Sequence, residues 1–164
     1  MSVFKLRNRK EVFAWSLYDF ANQPFTTIIV TFIYSAFFVK VIAENEQEGT
    51  FLWSIAIAIT AIVVSLLSPV LGALADRGGY RKFFLITFTW ICAIFSILLY
   101  FPNVGDVYFA LSLFVIANIA FEMGGVFCNS YLPDLSDSDN IGRISGYAWG
   151  LGFVGGLSAL FLAF

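Results

Sequence analysis

Two acidic residues, Asp19 and Glu122, lie inside long apolar stretches of the chain. A carboxylate within a membrane-spanning helix is unfavourable, and such groups usually face a cavity or a charged partner. Their chemistry would therefore be a proton or cation relay, or contact with a charged substrate. Asp19 also lies near one end of its apolar stretch, so a hydrated position at the membrane boundary is its alternative role.

The elements that must position these acids are five long apolar runs. Of the 164 residues, 60% are hydrophobic and 12% are charged, whereas soluble domains have about 25% charged residues. A helix needs about 20 apolar residues to cross the hydrocarbon core of a bilayer. We therefore predict an all-α, multi-pass transmembrane helical bundle of about five spans. The predicted spans are residues 12–43, 50–75, 83–101, 107–132 and 141–164.

The first run has a secretory signal peptide as its alternative, because residues 41–43 resemble a cleavage site. The apolar region of a signal peptide has roughly 7–15 residues, and this run is about twice as long. It also contains Asp19 and Pro24. We therefore expect a retained helix, with a kink at Pro24 because proline has no backbone N–H.

Basic residues are concentrated on one side of the predicted bundle. Eight of the nine lie in the N-terminal segment, the 76–82 turn or the 133–143 loop, and Lys40 lies towards the other side. They are Lys5, Arg7, Arg9, Lys10, Arg77, Arg81, Lys82 and Arg143. Basic loops stay in the cytoplasm, so the prediction is a cytoplasmic N-terminus, with residues 44–50 and 102–106 outside.

This topology relates the two intramembrane acids. Asp19 lies about nine residues past Lys10 in the first span, and Glu122 lies about nine residues before Tyr131 in the fourth, at about 1.5 Å per residue. Both carboxylates should then lie at a similar depth in the cytoplasmic half of the membrane. We expect them to meet in one cavity.

Other kinds of chemistry find little support in the composition. The chain has no histidine, so Ser130 and Ser145 have no imidazole base and the commonest metal ligand is missing. A net charge of −2 offers no basic field for nucleic acid. We expect no enzymatic activity, no cofactor, no metal and no nucleic-acid partner. Cys92 and Cys128 lie in apolar runs and are expected to be buried thiols.

Glycines recur in the fifth run at intervals of four residues. Gly142, Gly146 and Gly150 form one series, and Gly152 and Gly156 repeat the spacing. Small residues four apart let two helices approach closely, so packing is the expected role. A glycine-lined substrate path or a sliding helix contact is the alternative. Aromatic residues near span ends are expected to anchor the interface: Trp15, Tyr18 and Trp53.

The turn at residues 72–82 resembles the signature G-x-L-A-D-[RK]-x-G-[RK]-[RK] of the major facilitator superfamily, between spans two and three. The matching residues are Gly72, Leu74, Ala75, Asp76, Arg77, Gly79 and Arg81. Tyr80 departs from the pattern, because a basic residue is usual there. The turn therefore lacks one charge of the full salt-bridge set that the resemblance implies.

Two further stretches resemble the vacuole-effluxer-like branch of that superfamily: Trp15–Asn22 with Pro24–Phe25, and residues 127–134 with 142–146. Fungal members of this branch export amino acids from the vacuole, and it has many bacterial relatives. Full members have about twelve spans in two six-span halves. The resemblance implies that residues 1–164 are a partial N-terminal half, without the sixth span and the second half.

Membership implies roles for specific residues. Spans one and four would line the central cavity, which places Asp19, Asn22 and Glu122 on the substrate or ion pathway. The 72–82 turn would hold the inner gate closed through its charges, with Arg77 or Arg81 paired to Asp134. Basic residues in that turn would fix topology in any case.

The resulting hypothesis is a secondary transporter for a small solute such as an amino acid, working by alternating access. It would need the bilayer, its solute, and either a C-terminal half or another copy of the chain. Its membrane would be the plasma membrane of a bacterium or the vacuolar membrane of a fungus. The alternatives are a non-transporting scaffold or sensor subunit, and a half-transporter that pairs with another chain.

Overall fold

The computed structural model describes residues 9–163, and over this range the chain is helical with no strand. Five helices in this range are long and apolar enough to cross a membrane. The predictions of an all-α class and about five spans are therefore confirmed. Lys5 and Arg7, which contribute to the predicted topology, lie outside the described residues. The helices are Arg9–Ile42, Glu46–Gly78, Arg81–Leu98, Val107–Leu135 and Ile141–Ala163.

The first span changes its helix type along its length. An α-helix, α1 (Arg9–Pro24), is followed by a π-helical segment, Phe25–Phe32. A short helix α2 (Tyr34–Phe37) and a second π-helical segment, Phe38–Ile42, complete the span. Pro24 has no N–H to give to the carbonyl one turn earlier, and the regular α-helical pattern ends at this residue. The helix type therefore changes at Pro24, and the kink predicted there stays a prediction.

The second span, α3 (Glu46–Gly78), has side-chain and backbone caps. Asn45 Oδ1 accepts a hydrogen bond from Glu48 N at 2.7 Å, and Asn45 Nδ2 donates to Glu48 Oε2 at 3.1 Å. This reciprocal arrangement resembles a capping box. At the other end, Gly79 has φ 67° and Tyr80 N donates to Ala75 O at 3.0 Å. A left-handed glycine with this hydrogen bond ends a helix abruptly.

The remaining helices are α4 (Arg81–Leu98), α5 (Val107–Asn129), α6 (Leu132–Leu135) and α7 (Ile141–Ala163). The turn between α4 and α5 is tied to the end of the first span, because Gly105 N donates to Ile42 O at 3.0 Å. Gly105 has φ 91°, which suits a residue without a Cβ. Asp106 Oδ2 also accepts from Asn103 N at 2.9 Å.

The chain forms two compact units. Within the described range, the first comprises residues 9–28 and 128–163, and the second comprises residues 29–127. In the first unit α1 packs along α7. Trp15 is buried there, and its Nε1 donates to Cys128 O at 2.8 Å. The prediction that Trp15 anchors the membrane interface is therefore wrong, since its indole N–H has a protein partner and its ring is covered.

Aromatic rings form the core of the second unit. Trp53 stacks on Phe114 with centroids 4.0 Å apart and lies 5.3 Å from Phe38. Only 7% of Trp53 is exposed, so its predicted role as an interface anchor is also wrong. A second cluster stacks Phe127 on Phe84 and Phe88, at 5.1 and 5.8 Å. Stacking of this kind adds to the apolar burial that holds the helices together.

The outward face of α4 is a continuous apolar stripe. Ile86, Trp90, Ile94 and Ile97 recur at helical spacing, and all four are exposed on their unit. A soluble domain rarely leaves so much apolar surface open to water, whereas lipid tails cover it without penalty. The chain is an integral, multi-pass membrane protein. Cys92 and Cys128 are both free and buried, as predicted.

Candidate transport site and the turn between spans two and three

Asp19 lies on α1 where this helix meets α7. It is half-buried, and Gly152 of α7 stands beside it. A Cβ placed on Gly152 would come within 3.4 Å of both the Cβ and the backbone oxygen of Asp19. That is ordinary contact distance, so α7 approaches the backbone of α1 at the position of the acid. Asp19 therefore lies at a seam between two helices, and its depth in the membrane stays a prediction.

Two more glycines continue the seam. A Cβ on Gly155 would overlap the backbone oxygen of Phe20. A Cβ on Gly156 would meet Thr27 Oγ1 at 2.5 Å and Gln23 Cγ at 3.3 Å. Glycine at these positions lets the two helix backbones approach closely.

The first of the two glycine series predicted to pack has different surroundings. Gly142, Gly146 and Gly150 have no neighbouring-helix atom of the described residues within 4 Å of a Cβ position. The close approach between α1 and α7 occurs instead further along α7, at Gly152, Gly155 and Gly156. A packing role for the first series stays a prediction.

Gln23 and Thr27 are polar residues of this seam and are not among the site residues predicted from the sequence. They follow Asp19 by four and eight residues, so all three lie on one face of the first span. Thr27 Oγ1 donates to Gln23 O at 3.2 Å. Asn22, also half-buried, lies on α1 between Asp19 and Gln23. The four-residue interval from Asp19 is the signal that could have identified both residues.

Glu122 lies on α5 in the other unit and is exposed on its surface. The next residue, Met123, is fully buried, and Asn118 one turn earlier is buried as well. Described residues of this unit do not cover the Glu122 side chain, and a carboxylate facing lipid would be unfavourable. A water-filled cavity or a charged partner would remove that penalty. The meeting of Glu122 with Asp19 in one cavity stays a prediction.

The turn between spans two and three contains a close ion pair. Arg81 Nε donates to Asp76 Oδ1 at 2.7 Å, and both side chains are partly exposed. The left-handed Gly79 reverses the chain between the two residues and so brings the carboxylate to the guanidinium. The pairing of Arg77 or Arg81 with Asp134 of α6 stays a prediction. Gly72 has open space around it among the described residues.

Most of the second unit, together with residues 128–143 of the first, matches a described protein family. The model for "Vacuole effluxer Atg22 like" proteins matches residues 49–143. The chain belongs to this family. The matched range includes the Asp76–Arg81 turn, Glu122 and Asp134, and the predicted resemblance to the vacuole-effluxer-like branch is thereby confirmed.

This effluxer-like chain is also similar in sequence to two individual proteins. An uncharacterized MFS-type transporter, YxiO of Bacillus subtilis (strain 168), is 26% identical over 152 residues, which is 91% of this chain and 36% of the relative. Autophagy-related protein 22 of Chaetomium globosum is 34% identical over 76 residues, 46% of this chain and 12% of the relative. The chain thus spans about a third of the Bacillus protein and less of the fungal one. No solved structure matches it.

Proposed function

We propose that this effluxer-like chain forms part of the N-terminal half of a secondary transporter that moves a small solute by alternating access. The observation that carries the proposal is the family match over residues 49–143. The name of the Bacillus relative, an MFS-type transporter, supports it. Two acids lie in the predicted first and fourth spans, Asp19 and Glu122, and such groups can bind a proton, a cation or a charged substrate.

We further propose an amino acid as the solute. An amino acid carries an ammonium and a carboxylate, so its recognition needs an acid together with neutral hydrogen-bond donors. Asp19 can attract the ammonium, and the amides of Asn22 and Gln23 on the same helix can donate to the carboxylate. The description of the matched family as vacuole effluxer-like supports a solute that is exported across a membrane.

Glu122 is assigned the ion coupling in this proposal. It lies exposed on α5 within a predicted span, and a carboxylate there can bind and release a proton during the transport cycle. Substrate handling and ion coupling would then lie on different helices. Substitutions at Asp19 and at Glu122 should therefore have different effects.

The test is uptake of radiolabelled amino acids into proteoliposomes that contain the protein as its host cell makes it. Glu122→Gln should remove the pH dependence of uptake, whereas Asp19→Asn should raise the KM for the amino acid. Glu46→Gln changes an exposed acid at the start of α3 and serves as the matched control, with no expected effect. Unchanged pH dependence in Glu122→Gln would defeat the coupling role. Absence of uptake for every amino acid would reject the substrate class.

A further inference from the structure

A groove runs between α3 and α5 within the second unit. It has a volume of about 460 Å³, and its walls are aliphatic except for Ser112 and the ring of Tyr108. We call it the α3–α5 groove. Its lining residues are Leu52, Ile55, Ala56, Ile59, Tyr108, Leu111, Ser112, Val115 and Ile116.

A smaller and more polar hollow adjoins this groove. It has a volume of about 140 Å³ and contains the side chains of Glu44 and Glu48. Leu52 and Tyr108 line both spaces, so the hollow lies at one end of the groove. Together they form a site that is apolar along its length and acidic at its mouth.

Exposed aromatic residues place the mouth at a membrane surface. Tyr100, Phe101 and Tyr108 flank the turn between α4 and α5, and Tyr108 is 76% exposed. Aromatic side chains of this kind concentrate at the level of the lipid head groups. From Tyr108 to Ile116 the helix rises about 12 Å, so the groove enters the hydrocarbon layer, which is about 30 Å thick.

The charges at the mouth favour a cation. Glu44 and Glu48 are both exposed, and Glu48 accepts one hydrogen bond, from Asn45 at 3.1 Å, which engages one of its two oxygens. Glu46 and Asp106 add two further acids nearby in the chain, against Lys40. The Tyr108 ring between the two spaces can also attract a cation to its face. An anionic head group would be repelled here.

We propose that the α3–α5 groove binds an acyl chain of phosphatidylethanolamine, with the head-group ammonium at Glu44 and Glu48. The acyl chain fits the apolar walls and the depth of the groove. The primary ammonium donates up to three hydrogen bonds, and the two carboxylates accept them. Phosphatidylglycerol with the same acyl chains has no ammonium and carries a net negative charge, so it should bind more weakly.

Native mass spectrometry of the detergent-purified protein tests this assignment, with the two lipids titrated separately. We expect phosphatidylethanolamine to be retained at least several-fold better than phosphatidylglycerol. The double variant Glu44→Gln with Glu48→Gln should remove that preference, and glutamine at residue 48 preserves the helix cap. Glu46→Gln is the matched control, because this acid lies outside the hollow, and it should keep the preference.

A second variant tests the groove itself. Ile55→Trp should fill the groove and lower retention of both lipids, whereas Ile97→Trp, on the exposed face of α4, should not. Equal binding of the two lipids, or a preference that survives the double glutamine variant, would overturn the proposal. Disulfide-linked dimers of a Ser112→Cys variant would assign the groove to a second copy of the chain and would also overturn it.

Discussion

The backbone oxygen of Phe20 in α1 lies directly against Gly155 of α7, so closely that a side-chain carbon at residue 155 would overlap it. Phe20 is four residues before Pro24, and its carbonyl is therefore the one that loses its α-helical donor. The glycine at residue 155 therefore lies against the Phe20 carbonyl, which receives no hydrogen bond from residue 24 because proline has no N–H. A Cα–H group can make a weak hydrogen bond to such an oxygen.

Gly155→Ala should therefore destabilise the packing of α1 on α7. The added methyl meets backbone, which cannot move aside as a side chain can, and overpacking typically costs about 1–3 kcal/mol. We expect a lower midpoint of thermal unfolding in detergent. Gly150→Ala is the matched control, because its Cβ position is open and alanine favours a helix by about 1 kcal/mol over glycine. Equal midpoints for the two variants would contradict the close contact.

The glycine pattern shows how far the sequence could predict the seam. Spacing by four identified α7 as a packing helix, because that spacing places glycines on one face. It could not select which turn of α7 meets α1. That choice depends on what the other helix presents: the Phe20 backbone lies against Gly155, and the side chains of Gln23 and Thr27 lie against Gly156.

The two tryptophans, Trp15 and Trp53, show a second limit of prediction from the sequence. Trp15 and Trp53 lie near span ends, where the aromatic-belt rule applies to a helix surrounded by lipid. Each is instead covered by another part of its own unit, Trp53 by Phe114. Sequence position gives depth in the membrane, but it does not tell which side of a helix faces protein. For the same reason the sequence predicts that Asp19 and Glu122 are intramembrane acids but does not predict the seam around Asp19.

Trp15→Phe should weaken the first unit to a small, measurable extent. The substitution keeps an aromatic ring in the buried site and removes the indole hydrogen bond to Cys128 O. The Cys128 oxygen also accepts a hydrogen bond from Tyr131 N at 3.2 Å, so it keeps one hydrogen-bond donor in the variant. The loss should be about 0.5–1.5 kcal/mol, the net value of one such bond. A midpoint of unfolding identical to the unmodified chain would show that this bond contributes nothing.

Tyr34→Phe, in contrast, should not lower the stability of the second unit and should tend to raise it. The Tyr34 hydroxyl is buried beside Trp53 and has no hydrogen-bond partner among residues 9–163. A buried polar group without a partner costs about 1–3 kcal/mol, and phenylalanine keeps the ring contacts while removing the hydroxyl. We expect unfolding at an equal or higher temperature. A clear decrease would mean that an ordered water or another molecule bonds this hydroxyl.

Asp76→Ala tests the gating role proposed for the turn between spans two and three. The Asp76–Arg81 pair is partly exposed, and ion pairs near the surface contribute little to stability, so the protein should reach the membrane at its normal level. If the pair fixes the turn that holds the inner gate, solute uptake should fall several-fold. The control is Asp139→Ala, which removes an exposed acid from the loop before α7 and should leave uptake unchanged. Membrane level by immunoblot and uptake in the same cells distinguish the two effects, and normal uptake by Asp76→Ala would show that the pair has no part in gating.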